Sequence, residues 1–163
     1  MENRFLHLIE VLVRHDVRFI VVGGVAAVLQ RVPLNTQDFD LVHERSLRNV
    51  QNLLAALAEL GAVYRDDPRM LRPNETHLLG AGNQLLQAGN LKFDLLGQID
   101  WGGGYEDLLP GSEVLEVGGL AVRVLTLDKL VEIKRQLSRP KDKFMLMHLE
   151  AALDERAKLK RNG

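Results

Sequence analysis

The segment Asp38-Phe39-Asp40-Leu41-Val42 alternates acid and hydrophobe over the length of a strand, and few folds can house such a pattern. Side chains on a strand point alternately to its two faces, so Asp38 and Asp40 project one way while Phe39 and Leu41 face a core. Neighbouring carboxylates repel each other, and a fold that keeps them side by side has use for a cation. A second segment, Leu91-Lys92-Phe93-Asp94-Leu95-Leu96, has the same design: Phe93 and Leu95 pack one way and Asp94 faces the other. Were the two strands neighbours, three carboxylates would converge. Magnesium suits such a group, because it takes a few carboxylate oxygens and completes its octahedron with phosphate oxygens and water. An isolated Asp-x-Asp is most often a solvated edge strand; the weight here comes from context.

That context lies partly upstream. Arg18-Phe19-Ile20-Val21-Val22 is a β-rich run that ends at Gly23-Gly24, where a short helix from Val25 to Gln30 is expected. Glycines let a phosphate approach the backbone, and a helix start offers N–H donors. With the loop marked by Pro33 and Asn35, these residues form one strand–turn–helix–strand unit leading into the acids.

The rest of the chain completes an order of αβαβα, then β-rich, then αα. Phe5, Leu8, Ile9 and Leu12 predict a first helix over residues 3–15. Ser46 caps a long helix that stops at Gly61. Residues 65–76, with two prolines and many charges, read as a mobile loop. Strands follow at Gln84–Gln87 and Leu91–Leu96, and Trp101 to Gly104 reads as a flexible hinge. A hairpin of Glu113–Val117 and Leu120–Val124 turns at Gly118-Gly119. Thr126 caps a helix through Leu137, and Pro140 opens a last helix with Phe144, Met147 (or Met145), Leu149 and Leu153 inside. The pattern predicts an α/β (α+β) fold with a mixed sheet flanked by helices. A core over 1–125 carries a C-terminal helical extension, 126–163, packed on it as one domain.

Composition excludes several functions. Of the 163 residues, 46% are apolar and 26% charged, enough for a packed core. A net charge of -1 supplies no global basic field. Basic residues nevertheless crowd the C-terminal third, from Arg135 and Arg139 to Lys160 and Arg161, as a solvated helix face or as a surface that meets phosphates. The absence of cysteine excludes disulfides and thiolate metal sites and suits a reducing, cytoplasmic compartment. Met1-Glu2-Asn3-Arg4 does not open like a secretory leader, and no apolar run approaches the ~20 residues of a membrane span. The five histidines show no ligand spacing and read as surface or helix residues. The three serines lie in no nucleophile elbow, and Gly102-Gly103-Gly104 lacks the lysine of a phosphate loop. Trp101 and Tyr105 read as core aromatics, with stacking on a base as the alternative.

Gly23-Gly24-Val25-Ala26-Ala27, followed by Thr36-Gln37-Asp38-Phe39-Asp40-Leu41, resembles the signature of the DNA polymerase beta-like nucleotidyltransferase superfamily. Its small branch of minimal nucleotidyltransferases and abortive-infection toxin-type enzymes is most similar. There a later strand supplies a third acid, matching Asp94, and a C-terminal stretch is similar to Leu130-Val131-Glu132-Ile133-Lys134 with Arg139-Pro140-Lys141-Asp142. The resemblance spans about Phe19 to Leu149. It implies an enzyme that moves a nucleoside monophosphate from a triphosphate, such as ATP, to a hydroxyl of a tRNA end, a protein or a small molecule. Asp38, Asp40 and Asp94 would be catalytic and would hold Mg2+ or Mn2+. Gly23, Gly24, Thr36 and Lys134 would bind the nucleotide, with a helix-surface lysine as the alternative for Lys134; Asp142 reads as a local cap or as a partner of Arg139 or Lys143. A toxin–antitoxin or phage-defence setting is implied, as is a small helical partner protein; separately, apolar positions on the first and last helices could serve a homodimer as well as a core. Relatives often carry arginine where Leu34 stands and glycine where Arg31 stands, and Arg31 is the nearest candidate to restore that charge. A weakly active or inactive module that acts by binding a partner is the rival reading.

Overall fold

The structure, a computed structural model, describes residues 3–163; Met1 and Glu2, where the expected non-leader start begins, lie outside the described residues. The first helix, α1 (Asn3–Arg14), buries Phe5, Leu8, Ile9, Val11 and Leu12 along one stripe, as the spacing predicts. It is followed by β1 (Phe19–Val22), α2 (Gly23–Leu29), β2 (Phe39–His43) and α3 (Leu47–Leu60). Ser46 caps α3 by accepting a hydrogen bond from the Asn49 N–H, and Gly61 ends it in the left-handed conformation.

Residues 65–76 hold more order than their prolines suggest. A two-residue strand, β3 (Val63–Tyr64), precedes them, and α4 (Glu75–Leu79) begins inside them, capped by Asn74 and His77 reciprocally. The backbone N–H of Arg65 still donates to Leu85 O at 3.0 Å, so the edge of the sheet continues into this segment. Then come β4 (Asn83–Ala88), β5 (Leu91–Leu96), α5 (Tyr105–Leu108), β6 (Ser112–Val117), β7 (Leu120–Leu125), α6 (Leu127–Arg135) and α7 (Pro140–Asn162). The glycine triplet is a closed turn rather than a hinge: Ile99 and Gly103 pair through bonds of 2.9 and 3.1 Å, and Gly104 leads into α5. Trp101 at that turn is 67% exposed and Tyr105 is partly buried against the core, so the core reading fails for the tryptophan.

Among the described residues seven strands form one mixed sheet in the order β3-β4-β5-β2-β1-β7-β6. β2 sits at its centre, antiparallel to β1 and parallel to β5. Phe39 reaches the Phe5 ring of α1, with ring centres 5.2 Å apart, which fixes the face covered by α1. Side chains of α6 and Leu149 of α7 belong to the same continuous core.

Two expectations for α7 change. Phe144 and Met147 are 62% and 69% exposed rather than inside, while Leu149 is buried and Met145 and Leu153 pack partly on the core. The helix runs 23 residues but touches the body only along one narrow line, which spacing alone does not select. His43 also departs from the surface reading. It is fully buried at the end of β2, with Nε2 2.8 Å from Leu78 O, and burial lowers its pKa, so the ring stays neutral. Replacing Phe39 with alanine should remove the centre of the core and cost about 3–5 kcal/mol. A denaturant midpoint measured at matched slope checks this.

Candidate active site

The in-register parallel pairing of β2 with β5 sets Phe39 beside Phe93 and Asp40 beside Asp94. Alternation then separates the pairs: the phenylalanines are buried, and the carboxylates share the opposite face. Asp40 and Asp94 are neighbours across the two strands, close enough for each carboxylate to act on the other. Burial first, then the charges of Asp94 and Asp38, push the Asp40 carboxyl up to about 7, against a smaller opposing pull from Lys141. Asp38 lies just before the strand rather than in it, with a side chain 69% exposed and Lys141 Nζ 3.7 Å from its Oδ2. Among the described residues no three histidine, aspartate or glutamate side chains are gathered tightly enough to hold a metal ion as they stand. The donor set still suits a hard divalent cation, because two oxygen ligands are held together in a partly desolvated place where both cannot comfortably be charged.

The glycines have a steric reason to be there. Gly23 has φ +66°, and a Cβ on it would stand 2.7 Å from Asp40 Oδ2; on Gly24 a Cβ would stand 2.5 Å from Thr36 Oγ1. Any side chain at this turn would displace an acid or the threonine. Thr36 in turn accepts a hydrogen bond from the Asp38 N–H at 3.2 Å, holding the approach to β2.

Two cavities open onto this turn. One, of about 550 Å³, runs from Gly23 and Asp40 to the apolar side chains of α6 and to Gln98, Lys134 and Arg139. The other, of about 410 Å³, is walled by Gly24, Thr36, Asp38, Lys141 and Leu34, and shares Gly23, Asp40, Lys134 and Arg139 with the first. Lys134 is thus brought to the acids, 40 residues after the last of them in sequence. Its ammonium is held by Asp142, whose Oδ1 lies 2.7 Å from Nζ, while Arg139 Nε meets Asp142 Oδ2 at 2.7 Å. The Asp142 side chain has no exposed surface. Burial alone raises its pKa, but the bonds from Arg139 and Lys134 outweigh that and leave it below the ordinary carboxylate range. Asp142 therefore pairs with Arg139, as expected, and with Lys134 instead of Lys143.

Arg31 does not replace the charge missing at Leu34. It has φ +66°, a conformation that favours glycine, and lines a separate cavity between α2 and α7. Arg139 and Lys141 bring the positive charge instead. No motif in the sequence points to Arg65 as a site residue. Its Nη2 donates to Asp94 Oδ1 at 2.7 Å and to the carbonyls of Leu86 and Phe93 at 3.3 Å. Only the strand-like Val63-Tyr64 beside it could have hinted that it lies against the sheet.

Comparison by sequence finds no matching family model and no similar curated protein. Comparison by structure does find similar folds. The lincosamide antibiotic adenylyltransferase LnuA, solved with lincomycin bound, is 12% identical, with a TM-score of 0.61 over 93% of this chain and 98% of its own. The antibiotic-resistance factor ANT(2'')-Ia is 17% identical, with a TM-score of 0.55 over 99% and 98%. TM1012 from Thermotoga maritima, described as a nucleotidyltransferase, is 18% identical, with a TM-score of 0.52 over 97% and 92%. The chain has the fold of these nucleotidyltransferases, mixed sheet and C-terminal helix included.

A pH test follows from Asp40. Its folded pKa lies above the unfolded value of 3.8, so the folded state binds the extra proton. The group therefore costs no stability below about pH 4, costs progressively more as pH rises, and costs most above about pH 7. Asp40→Asn should raise the melting temperature relative to the parent at pH 8, in the absence of divalent ions, by clearly more than at pH 5. An equal difference at both pH values would rule out the elevated pKa.

Proposed function

We propose that this chain is a nucleotidyltransferase that moves a nucleoside monophosphate from a nucleoside triphosphate to a hydroxyl acceptor. The observation that carries the reading is the juxtaposition of Asp40 and Asp94 at one register of adjacent strands, with Asp40 lining two cavities that also hold Gly23, Lys134 and Arg139. The fold shared with known nucleotidyltransferases supports it.

In this reading the triphosphate lies along the Gly23-Gly24 turn, beside Thr36, with Lys134 and Arg139 facing its oxygens. Asp142 has a positioning part: it holds both cations at the cavity wall and keeps their side chains from wandering. The acceptor oxygen bonds to the α-phosphorus, the bond from that phosphorus to the bridging oxygen breaks, and pyrophosphate leaves with the electron pair. The hydroxyl proton passes to a carboxylate of the Asp40–Asp94 pair. Asp38, Asp40 and Asp94 would hold Mg2+ or Mn2+, which when bound supplies positive charge to the transferring phosphoryl group and the leaving pyrophosphate. The toxin–antitoxin or phage-defence setting is supported by the sequence motifs alone.

A partner-binding module with little activity is the second reading. It is favoured by Arg65 and Lys141, which already neutralise Asp94 and Asp38. One assay separates the two. The purified protein is incubated with each α-labelled nucleoside triphosphate, Mg2+ or Mn2+ and a cell extract, beside an Asp38→Asn/Asp40→Asn variant of matched circular dichroism. Label should enter RNA, protein or a small molecule with the parent and fall by roughly a hundredfold or more in the variant, the size expected when several kcal/mol of charge stabilisation are lost. Equal labelling by both would overturn the assignment. No labelling by the folded parent would favour the binding module.

A further inference from the structure

A third cavity, of about 430 Å³, reaches the acids from a different direction. Arg4, Arg65, Lys92, Asp38 and Asp94 line it together with the amides of Gln37 and Asn90. It shares Gln37 and Asp38 with the second cavity, includes Asp94, and does not include Gly23, Asp40, Lys134 or Arg139. Asp40 thus faces the glycine turn, Asp94 faces this third cavity, and Asp38 stands at the junction. In-line displacement needs two approaches to one phosphorus, with the attacking oxygen opposite the leaving pyrophosphate. The three cavities around one row of acids offer that arrangement.

The lining narrows what enters. The Phe39 and Leu91 side chains at its floor are buried, so the cavity presents no aromatic face and little apolar surface. Three cations stand against two carboxylates there. Arg65 is held by Asp94 and two backbone carbonyls, so it sets the local field but has little freedom to follow a ligand. Arg4 on α1 and Lys92 on β5 are exposed at the cavity rim, one a planar fork and the other a mobile point charge. Both are suited to phosphate oxygens.

Resting on the nucleotidyl-transfer reading above, we propose that the third cavity is the acceptor subsite and that it takes an anionic, phosphate-bearing hydroxyl compound, whose phosphate is met by Arg4 and Lys92 while its hydroxyl faces Asp94. An RNA end and a small sugar phosphate share this chemistry, a hydroxyl a few bonds from a phosphate. A neutral drug-like acceptor does not match the lining.

The test uses isotope-labelled full-length protein and amide chemical shifts. Ribose 5-phosphate, ribose, and a six-nucleotide RNA with a free 3′-hydroxyl are titrated separately, without nucleotide. Both phosphate probes should shift the amides of residues 90–94, and ribose should leave them in place. Arg4→Glu/Lys92→Glu, or Lys92→Glu alone if the double variant is not folded, should weaken the phosphate probes by tenfold or more. Tenfold tighter binding of the RNA would assign the phosphate to a nucleic-acid end; tighter ribose 5-phosphate would assign it to a small molecule. Either keeps the proposal. Shifts of equal size with ribose, no shift with either phosphate probe, or unchanged affinity in the charge-reversed variant would overturn it. A parallel titration with ATP and Mg2+ reads Gly23 and Lys134. Its failure, with the residue 90–94 shifts intact, would sink the nucleotide reading and leave the anion subsite standing.

Discussion

The pairing of β2 with β5 carries the rest of the structure. Because the strands are parallel and in register, each residue of one lies beside its counterpart in the other. The same step that sets Phe39 beside Phe93 inside the core brings Asp40 beside Asp94 outside it. Hydrophobic burial on one face therefore holds together like charges on the other, and neither pair can be shifted by one residue without exchanging the two faces. The electrostatic strain of the acid pair is carried by the core beneath it.

Cations are distributed around this pair in two ways. Lys134 and Arg139 are fastened to the buried carboxylate of Asp142, so their charge is presented to the cavities from fixed positions. Burying an unpaired Asp142 would be costly, and its two partners make that burial tolerable. Arg65 and Lys141 instead touch the acids directly, at 2.7 and 3.7 Å. The first group fits the role of holding an anionic ligand. The second supplies charge to the acids themselves, the Arg65 contact at the partly buried sheet edge being the stronger and the exposed Lys141 contact the weaker.

The local elements were legible in the sequence wherever one residue pattern dominated. The stripe of α1, the Ser46 cap, the Gly61 stop, the two acid-bearing strands and the hairpin at Gly118-Gly119 all follow from spacing and turn chemistry. The α4 helix in the segment read as a loop was harder to see, because its order comes from the Asn74–His77 capping pair and from Leu78 entering the core. On α7 the pattern misled: its apolar residues surround the helix, and only contact with the body decides that Leu149 goes in while Phe144 and Met147 stay out.

By itself the sequence determined that acids would stand on one face of two strands, that a glycine turn would precede them, and that the fold would be a mixed sheet with flanking helices. These are consequences of short-range periodicity, which the chain carries wherever it goes. Tertiary structure alone decided that Asp40 and Asp94 share a register while Asp38 turns outward, that the glycines make room for Asp40 and Thr36, and that Asp142 gathers Lys134 and Arg139. It also decided that Arg65 lies on Asp94 and that Arg31 faces away. Those facts depend on contacts between residues far apart in the chain, and no local pattern encodes which distant side chain will fill a given space.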